Sequence, residues 1–301
     1  MILVINMPAE TGTLKDGTPE SRTGPWRSLW QRMRTNRSVL IGGGFLLLLI
    51  LVAVFGPLLT HYDPSKVDYS TKFLKPSAAH WFGTDHNGRD IFTRVIHGMR
   101  LTLSVGFISV MIGAAFGIVL GIISGYYGGK WDTIIMRITD VMLAFPGILL
   151  ALAIVSALGK SLFNVIIAVS IFSVPTFARI VRGSTLAVRK LEYIDAMRTL
   201  GASDSRIIFR HILPNITSPI IVQATLRIAV AILTASGLSF LGLGAQPPTP
   251  EWGAMLNDGR SYITEHPHVA LFPGLSIVIV VIAFNLLGDG LRDALDPKLK
   301  K

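Results

Sequence analysis

The densest group of ionisable side chains lies in EYIDAMRTLGASDSRIIFRHILPN, residues 192–215. It places Glu192, Asp195, Arg198, Asp204, Arg206, Arg210 and His211 close together, between stretches that are otherwise apolar. Carboxylates, guanidiniums and an imidazole so arranged can pair with a charged partner surface or stand in water as a loop. Two more charges, Arg227 and Asp140, are isolated within apolar sequence. A charge in hydrocarbon costs about 3 kcal/mol on insertion scales, so such a group faces protein or water. Arg227 can meet an anionic carboxylate of a passing solute. It can equally pair with an acid on a neighbouring helix or on another subunit.

Other chemistry is poorly supplied. The chain has no cysteine, which removes disulfides, thiol catalysis and cysteine metal sites. His86, His97, His266 and His268 make no convincing metal site, since His266-Pro267-His268 is a single weak ligand pair. No Gly-x-x-x-x-Gly-Lys-Ser/Thr phosphate loop is present, and GGKWDT at Gly128 has the wrong spacing. An enzyme working inside the spans would need a nucleophile and base there, and the histidines lie mostly outside them.

The elements that carry these residues follow from hydropathy. Of 301 residues, 50% are hydrophobic and 15% charged. Soluble domains carry about 25% charged residues, and the mean hydropathy here is +0.55. Residues 38–59 contain no charge over a length that spans roughly 30 Å of hydrocarbon as a helix. Further apolar runs cover about 101–127, 134–158, 162–178, 214–237 and 269–288. We therefore expect an all-α, polytopic membrane protein with six transmembrane helices. The third run is interrupted at AFPG. Pro146, Pro175 and Pro273 each remove a helical hydrogen bond within or at the end of a run. Gly106, Gly113, Gly117, Gly121 and Gly125 recur at mostly four-residue spacing, which lets helix backbones approach closely in lipid.

Charge orients the bundle. The formal net charge is +10, and basic residues favour the cytoplasmic side and anionic lipid. Six spans place residues 1–37, the segment between runs four and five, and the tail 291–301 on one side. Those parts hold most of the Arg and Lys, so both termini are expected in the cytoplasm. The external segment 60–99 holds Lys66, Lys72, Lys75, Arg89 and Arg94, a mild violation of the rule. MILVINM is too short for a signal-peptide core, so residues 38–59 are expected to act as an uncleaved anchor. Within 1–37, Trp26, Leu29, Trp30 and Met33 alternate with Arg at helical spacing and suggest an amphipathic helix on the membrane surface. The expected division is thus a cytoplasmic N-terminal tail (1–37), a first span (38–59), an external segment (60–99), a five-helix core (100–290) and a cytoplasmic tail (291–301).

Residues 192–214 then form a cytoplasmic hairpin. Residues 194–200 favour helix, Gly201 allows a tight turn, and Ser203 or Asp204 can cap a second helix that reaches Pro214. From the residues alone it can be a socket for a soluble engine, a DNA-binding helix-turn-helix or a solvated loop. The DNA reading is the weakest, because the second helix runs straight into a span.

The hairpin resembles the signature loop of permease subunits of ABC importers: Glu-Ala-Ala, three residues, Gly, then Leu-Pro. Here it reads Asp195-Ala196-Met197, Gly201 and Leu213-Pro214. Asp replaces Glu and Met replaces the second Ala, with the spacing kept. FGTDHNGRDIFTRVIHGMRLTL, GYYGG, IIMRITDVMLAFPGILLA, LSFLGLGAQPPTPEWGAML and LLGDGLRDALDPKLK are similar to the second permease of dipeptide, oligopeptide, nickel and glutathione importers. NVIIAVSIFSVPTFARIVRG leans toward the glutathione member. The resemblance implies a type I importer permease fold in the bacterial inner membrane, without catalysis of its own. It implies a second homologous permease, two ATPase subunits that use ATP and magnesium, and an extracytoplasmic binding protein. No cofactor, metal or nucleic acid is expected on this chain; membrane lipid surrounds it.

On that resemblance, Asp195, Ala196, Gly201, Ala202, Ser203, Asp204, Arg206, Arg210 and Pro214 couple the permease to the ATPase. Arg227, Ser239, Asn285 and Pro146 are candidates for the pathway or a gate. Gln246, Pro247, Glu251 and Trp252 lie in a proline-rich loop that is expected to meet the binding protein or to cap the bundle. Asp85, Gly88, Arg89 and Asp90 match a family pattern without a derivable role. An ion-coupled secondary transporter or channel is the alternative reading, but neither coupling acids in mid-span nor inverted repeats are evident.

Overall fold

A computed structural model of the chain describes residues 36–295. The expected amphipathic helix at Trp26–Met33 and the basic residues Lys298, Lys300 and Lys301 lie outside them. Ten α-helices are found among the described residues. They are α1 (Arg37–Phe55), α2 (Ile91–Tyr127), α3 (Gly129–Ala144), α4 (Gly147–Leu158) and α5 (Leu162–Arg189), then α6 (Glu192–Thr199), α7 (Asp204–Ile207), α8 (Leu213–Phe240), α9 (Trp252–Gly259) and α10 (His268–Leu295). Among the described residues five helices are long and apolar enough to cross a membrane, and α3 with α4 makes a sixth crossing if the bent pair counts as one.

Helix starts are chemically marked. Asn36 and Asp90 accept from backbone N–H groups at the starts of α1 and α2, as does Ser161 at α5. Each such cap stabilises its helix by about 1 kcal/mol. The Asp90 cap starts α2 at Ile91, so residues 91–99 at the end of the expected external segment are helical.

The glycine ladder joins α2 to α5. A Cβ on Gly113, Gly117, Gly121 or Gly125 would fall 2.4–2.8 Å from atoms of α5. The contacts step together along both helices, from Ser173 to Thr185, so the two run parallel. Gly106 faces Ile232 of α8 instead. α1 and α10 run antiparallel, with Gly42 against Leu287 and Gly290 against Ser38 and Val39. Both ends of the described chain therefore lie together. Ile180, Ser218, Arg292 and Leu295 border one cavity, so this is also the end that carries α6 and α7.

Two further boundaries are refined. The third apolar run is two helices bent by 93°. Pro146 disfavours helix at the residue before it, and Phe145 is extended. Pro214 lies in the first turn of α8 as expected, but no break separates α8 from the hairpin's second helix. α7, a π turn (Ile208–Ile212) and α8 form one continuous rod, in which Leu213 N–H reaches the Ile208 carbonyl. The wider turn accommodates a residue that brings no N–H of its own.

Candidate functional site

The hairpin has a buried root and an exposed crown. Ile194 of α6 and Ile207, Ile208 and Ile212 of the rod pack on Ile122 and Tyr126 of α2 and Val181 of α5. Tyr126 hydroxyl donates to Asp204 at 2.7 Å, and the Arg198 guanidinium lies 5.1 Å over its ring. Below the root, Arg182 holds Asp132 through Nε and Nη2, and Ser124 donates to the same carboxylate. The root is therefore packed on α2 and α5, which Asp132 of α3 ties to each other. Sequence reading missed Tyr126 and Asp132; the only available signal was GYYGG, which carried no role.

The crown is differently made. Asp195, Ala196, Gly201, Ser203, Asp204, Arg206, Arg210 and Pro214 are exposed, and Ala202 is half-buried. Asp195 has only a loose contact with Arg198 at 3.7 Å. Arg206 and Arg210 have no ion pair among the described residues. Gly201 sits at φ +79°, the left-handed conformation a short turn requires. Ser203 precedes α7, but its side chain makes no cap. Leu200 is 86% and Phe209 69% exposed. Large apolar side chains amid charges at the polar end of a bundle make a surface suited to a protein partner.

At the opposite end, charges are enclosed. Asp85 accepts from Arg89 Nε at 2.6 Å and from the backbone N–H groups of Asn87 and Arg89. Arg94, 2% exposed, lies 3.7 Å from Asp85. It also donates to the carbonyls of Pro64 and Pro248. Arg89 reaches Asp258 at 3.4 Å, and Asp90 takes His80 as well as the α2 cap. The family pattern at Asp85–Asp90 thus has a role: it stitches residues 60–90 to the α8–α10 connection. Two of the five cations that offended the positive-inside rule, Arg89 and Arg94, are consumed by it.

The proline-rich loop divides. Gln246 and Pro247 are exposed, but Glu251 and Trp252 are 2% and 0% exposed and offer no surface to a binding protein. Glu251 accepts from Gly253 and Ala254 N–H and caps α9. Trp252 Nε1 donates to the Val95 carbonyl at 2.9 Å. Burial pushes the Glu251 carboxyl up, against the lowering effect of its backbone donors. A charged residue in a proline-rich loop reads as exposed until its capping role is seen.

Of the pathway candidates, Arg227 and the residue after Pro146 share one aromatic neighbour, Phe172. Arg227, midway along α8, donates Nη2 to Thr176 Oγ1 and stands 5.0 Å over the Phe172 ring. Gly147, which follows Pro146 at the α3–α4 break, packs on that same ring, where a Cβ would fall 2.0 Å from Phe172 Cε2. Arg227 has no acid partner among the described residues, and Asp140 is held by Arg179 at 2.6 Å. Ser239 is buried near Glu251 and Asn285 is exposed on α10, so neither joins this group.

Residues 117–301 match the family described as binding-protein-dependent transport system inner membrane component. Residues 24–76 match the N-terminal transmembrane domain of oligopeptide transport permease C. The chain is 54% identical to the glutathione transport system permease protein GsiD of Pectobacterium atrosepticum, over 92% of each chain. It is 56% identical to the protein of that name from Salmonella typhimurium, over 94% of this chain and 93% of the relative. Among solved structures, the inward-facing MetNI methionine ABC transporter superposes with a TM-score of 0.55 at 20% identity. That match covers 67% of this chain and 96% of the other, and supports the fold.

Proposed function

Since the chain belongs to the binding-protein-dependent inner membrane component family and is a permease subunit of an ATP-driven ABC importer, we propose that its cargo is a small peptide of the glutathione class. The names carried by its relatives support that cargo. The chain works with a second, homologous permease, two ATPase subunits that consume ATP and magnesium, and an external binding protein. It hydrolyses no ATP itself. The end bearing α6 and α7 faces the cytoplasm with both termini, and the Asp85–Asp258 end faces outward, where Gln246 and Pro247 are available to the binding protein.

The observation that carries the coupling role is the contrast within residues 192–214. A root buried against α2 and α5 supports a crown in which Arg206 and Arg210 have no ion pair among the described residues and Leu200 and Phe209 are exposed. Closure of the ATPases presses on this crown, and the continuous α7–α8 rod delivers the motion into the bundle. Asp195, Arg206 and Arg210 supply charge for the contact, while Leu200 and Phe209 supply its apolar centre. The test is the double variant Leu200→Asp, Phe209→Asp in a co-expressed complex reconstituted in lipid discs. The expected result is a folded, inserted chain that no longer retains the ATPases and imports no labelled glutathione. Retained ATPases and unchanged uptake would sink the coupling assignment.

A further inference from the structure

We propose that Arg227 is the cargo's carboxylate contact at mid-membrane, held ready by Thr176 and Phe172 beside the α3–α4 break. This rests on the peptide reading above and names the group on the peptide that the permease recognises.

Arg227 and Thr176 both lie near the middle of their helices, α8 and α5. A guanidinium at that depth faces protein or a water-filled cavity and marks a pathway. Its surroundings orient it without neutralising it. Thr176 takes one Nη2 hydrogen, and the Phe172 ring supplies a π face. Nε is enclosed and has no hydrogen-bond partner. Asp140, the other isolated charge of the apolar sequence, is bound to Arg179. Nη1 carries no hydrogen bond among the described residues, and the planar Nη1–Nη2 edge matches a carboxylate in two-point geometry, which a lone ammonium does not.

The helix break strengthens the case. Gly147 packs on the ring that carries Arg227, and α4 begins there without a side-chain cap. Broken helices in transporters commonly turn such positive ends toward anionic groups of the substrate. Here the break and the unpaired cation share one aromatic ring. A cargo with a free carboxylate would complete the hydrogen bonding that the chain leaves open. A neutral amide in its place would not.

The experiment uses the assembled importer in lipid discs, with labelled glutathione and its glycine amide as probes. Uptake rates are measured for the wild type, Arg227→Gln and Arg227→Lys. The acid-to-amide ratio of the wild type, divided by that of Arg227→Gln, cancels the binding protein's own preference. We expect this double ratio to be about tenfold, the size of one lost charge-assisted contact, with Arg227→Lys in between. Co-purification of the ATPase subunits with each variant at the wild-type ratio checks that the complex assembles. A double ratio of one, with both probes slowed alike, assigns Arg227 to an ion pair with the second permease and overturns the proposal. Failure of the wild type to import either probe overturns the peptide reading and this proposal together.

Discussion

At one end of the bundle, Asp85, Arg89, Arg94 and Asp258 answer one another inside the protein. At the other, Asp195, Arg206 and Arg210 stand in solvent with little or nothing to hold. Both regions are charged and both flank long apolar helices. The enclosed set fixes where the loops lie, since a buried charge that loses its partner is strongly destabilising. The open set contributes little to stability alone, because exposed pairs are weak and screened. Charge kept within the chain serves shape, and charge left over is what the proposed contact with a partner would use.

That contrast can be broken by substitution. The largest effect is expected from Asp85→Ala, which removes the carboxylate that Arg89 and Arg94 share. A loss of about 3–5 kcal/mol follows for a broken buried pair, read as a collapse in folded yield and in thermal midpoint in detergent. Asp195→Ala in the same assay should leave the midpoint unmoved. Equal shifts for the two would erase the distinction between the ends.

An intermediate effect is expected at Gly201. No atom lies within 4 Å of a Cβ built there, so the penalty is conformational and not steric. A left-handed non-glycine residue costs about 1–2 kcal/mol. Gly201→Val should therefore reshape the hairpin without unfolding the bundle. The number of ATP molecules spent per glutathione imported should rise several-fold at an almost unchanged thermal midpoint. An unaltered ratio would mean that the turn's shape is irrelevant to coupling.

The smallest effect concerns Glu251, a single buried acid at the enclosed end. Burial raises its pKa, so the folded chain holds this proton to higher pH than the unfolded chain, whose value is about 4.3. Its contribution to stability is fully present below that unfolded value and is lost as pH rises through the folded one. Relative to wild type, Glu251→Gln should gain thermal midpoint between pH 5 and pH 8. A difference independent of pH would show that this carboxyl does not change its proton in that range.

Local pattern reached much of this architecture. Charge-free runs marked the spans because backbone in lipid must bond to itself. Four-residue glycine spacing marked the α2–α5 contact, and Gly201 marked the turn. The enclosed network was not legible, since Arg94 meets Pro248 and Arg89 meets Asp258 across 154 and 169 residues of sequence. Proline at 146 announced an interruption but not a bend of 93°, which depends on Gly147 seating against Phe172. Glu251 and Trp252 misled because composition reports a loop's polarity and not what its side chains cap.

The π turn at Ile208–Ile212 adds a consequence of phase. One α-helical residue advances a side chain by about 100° around the axis, and a π turn amounts to one residue too many within the rod. Removing a single residue from this turn would leave α8 seated in the bundle and swing everything before it by about that angle. Ile207 would leave the root as Arg206 and its neighbours rotated inward. The segment therefore sets a fixed angular offset between the face packed in the bundle and the exposed crown proposed to meet the ATPase, made by one inserted residue.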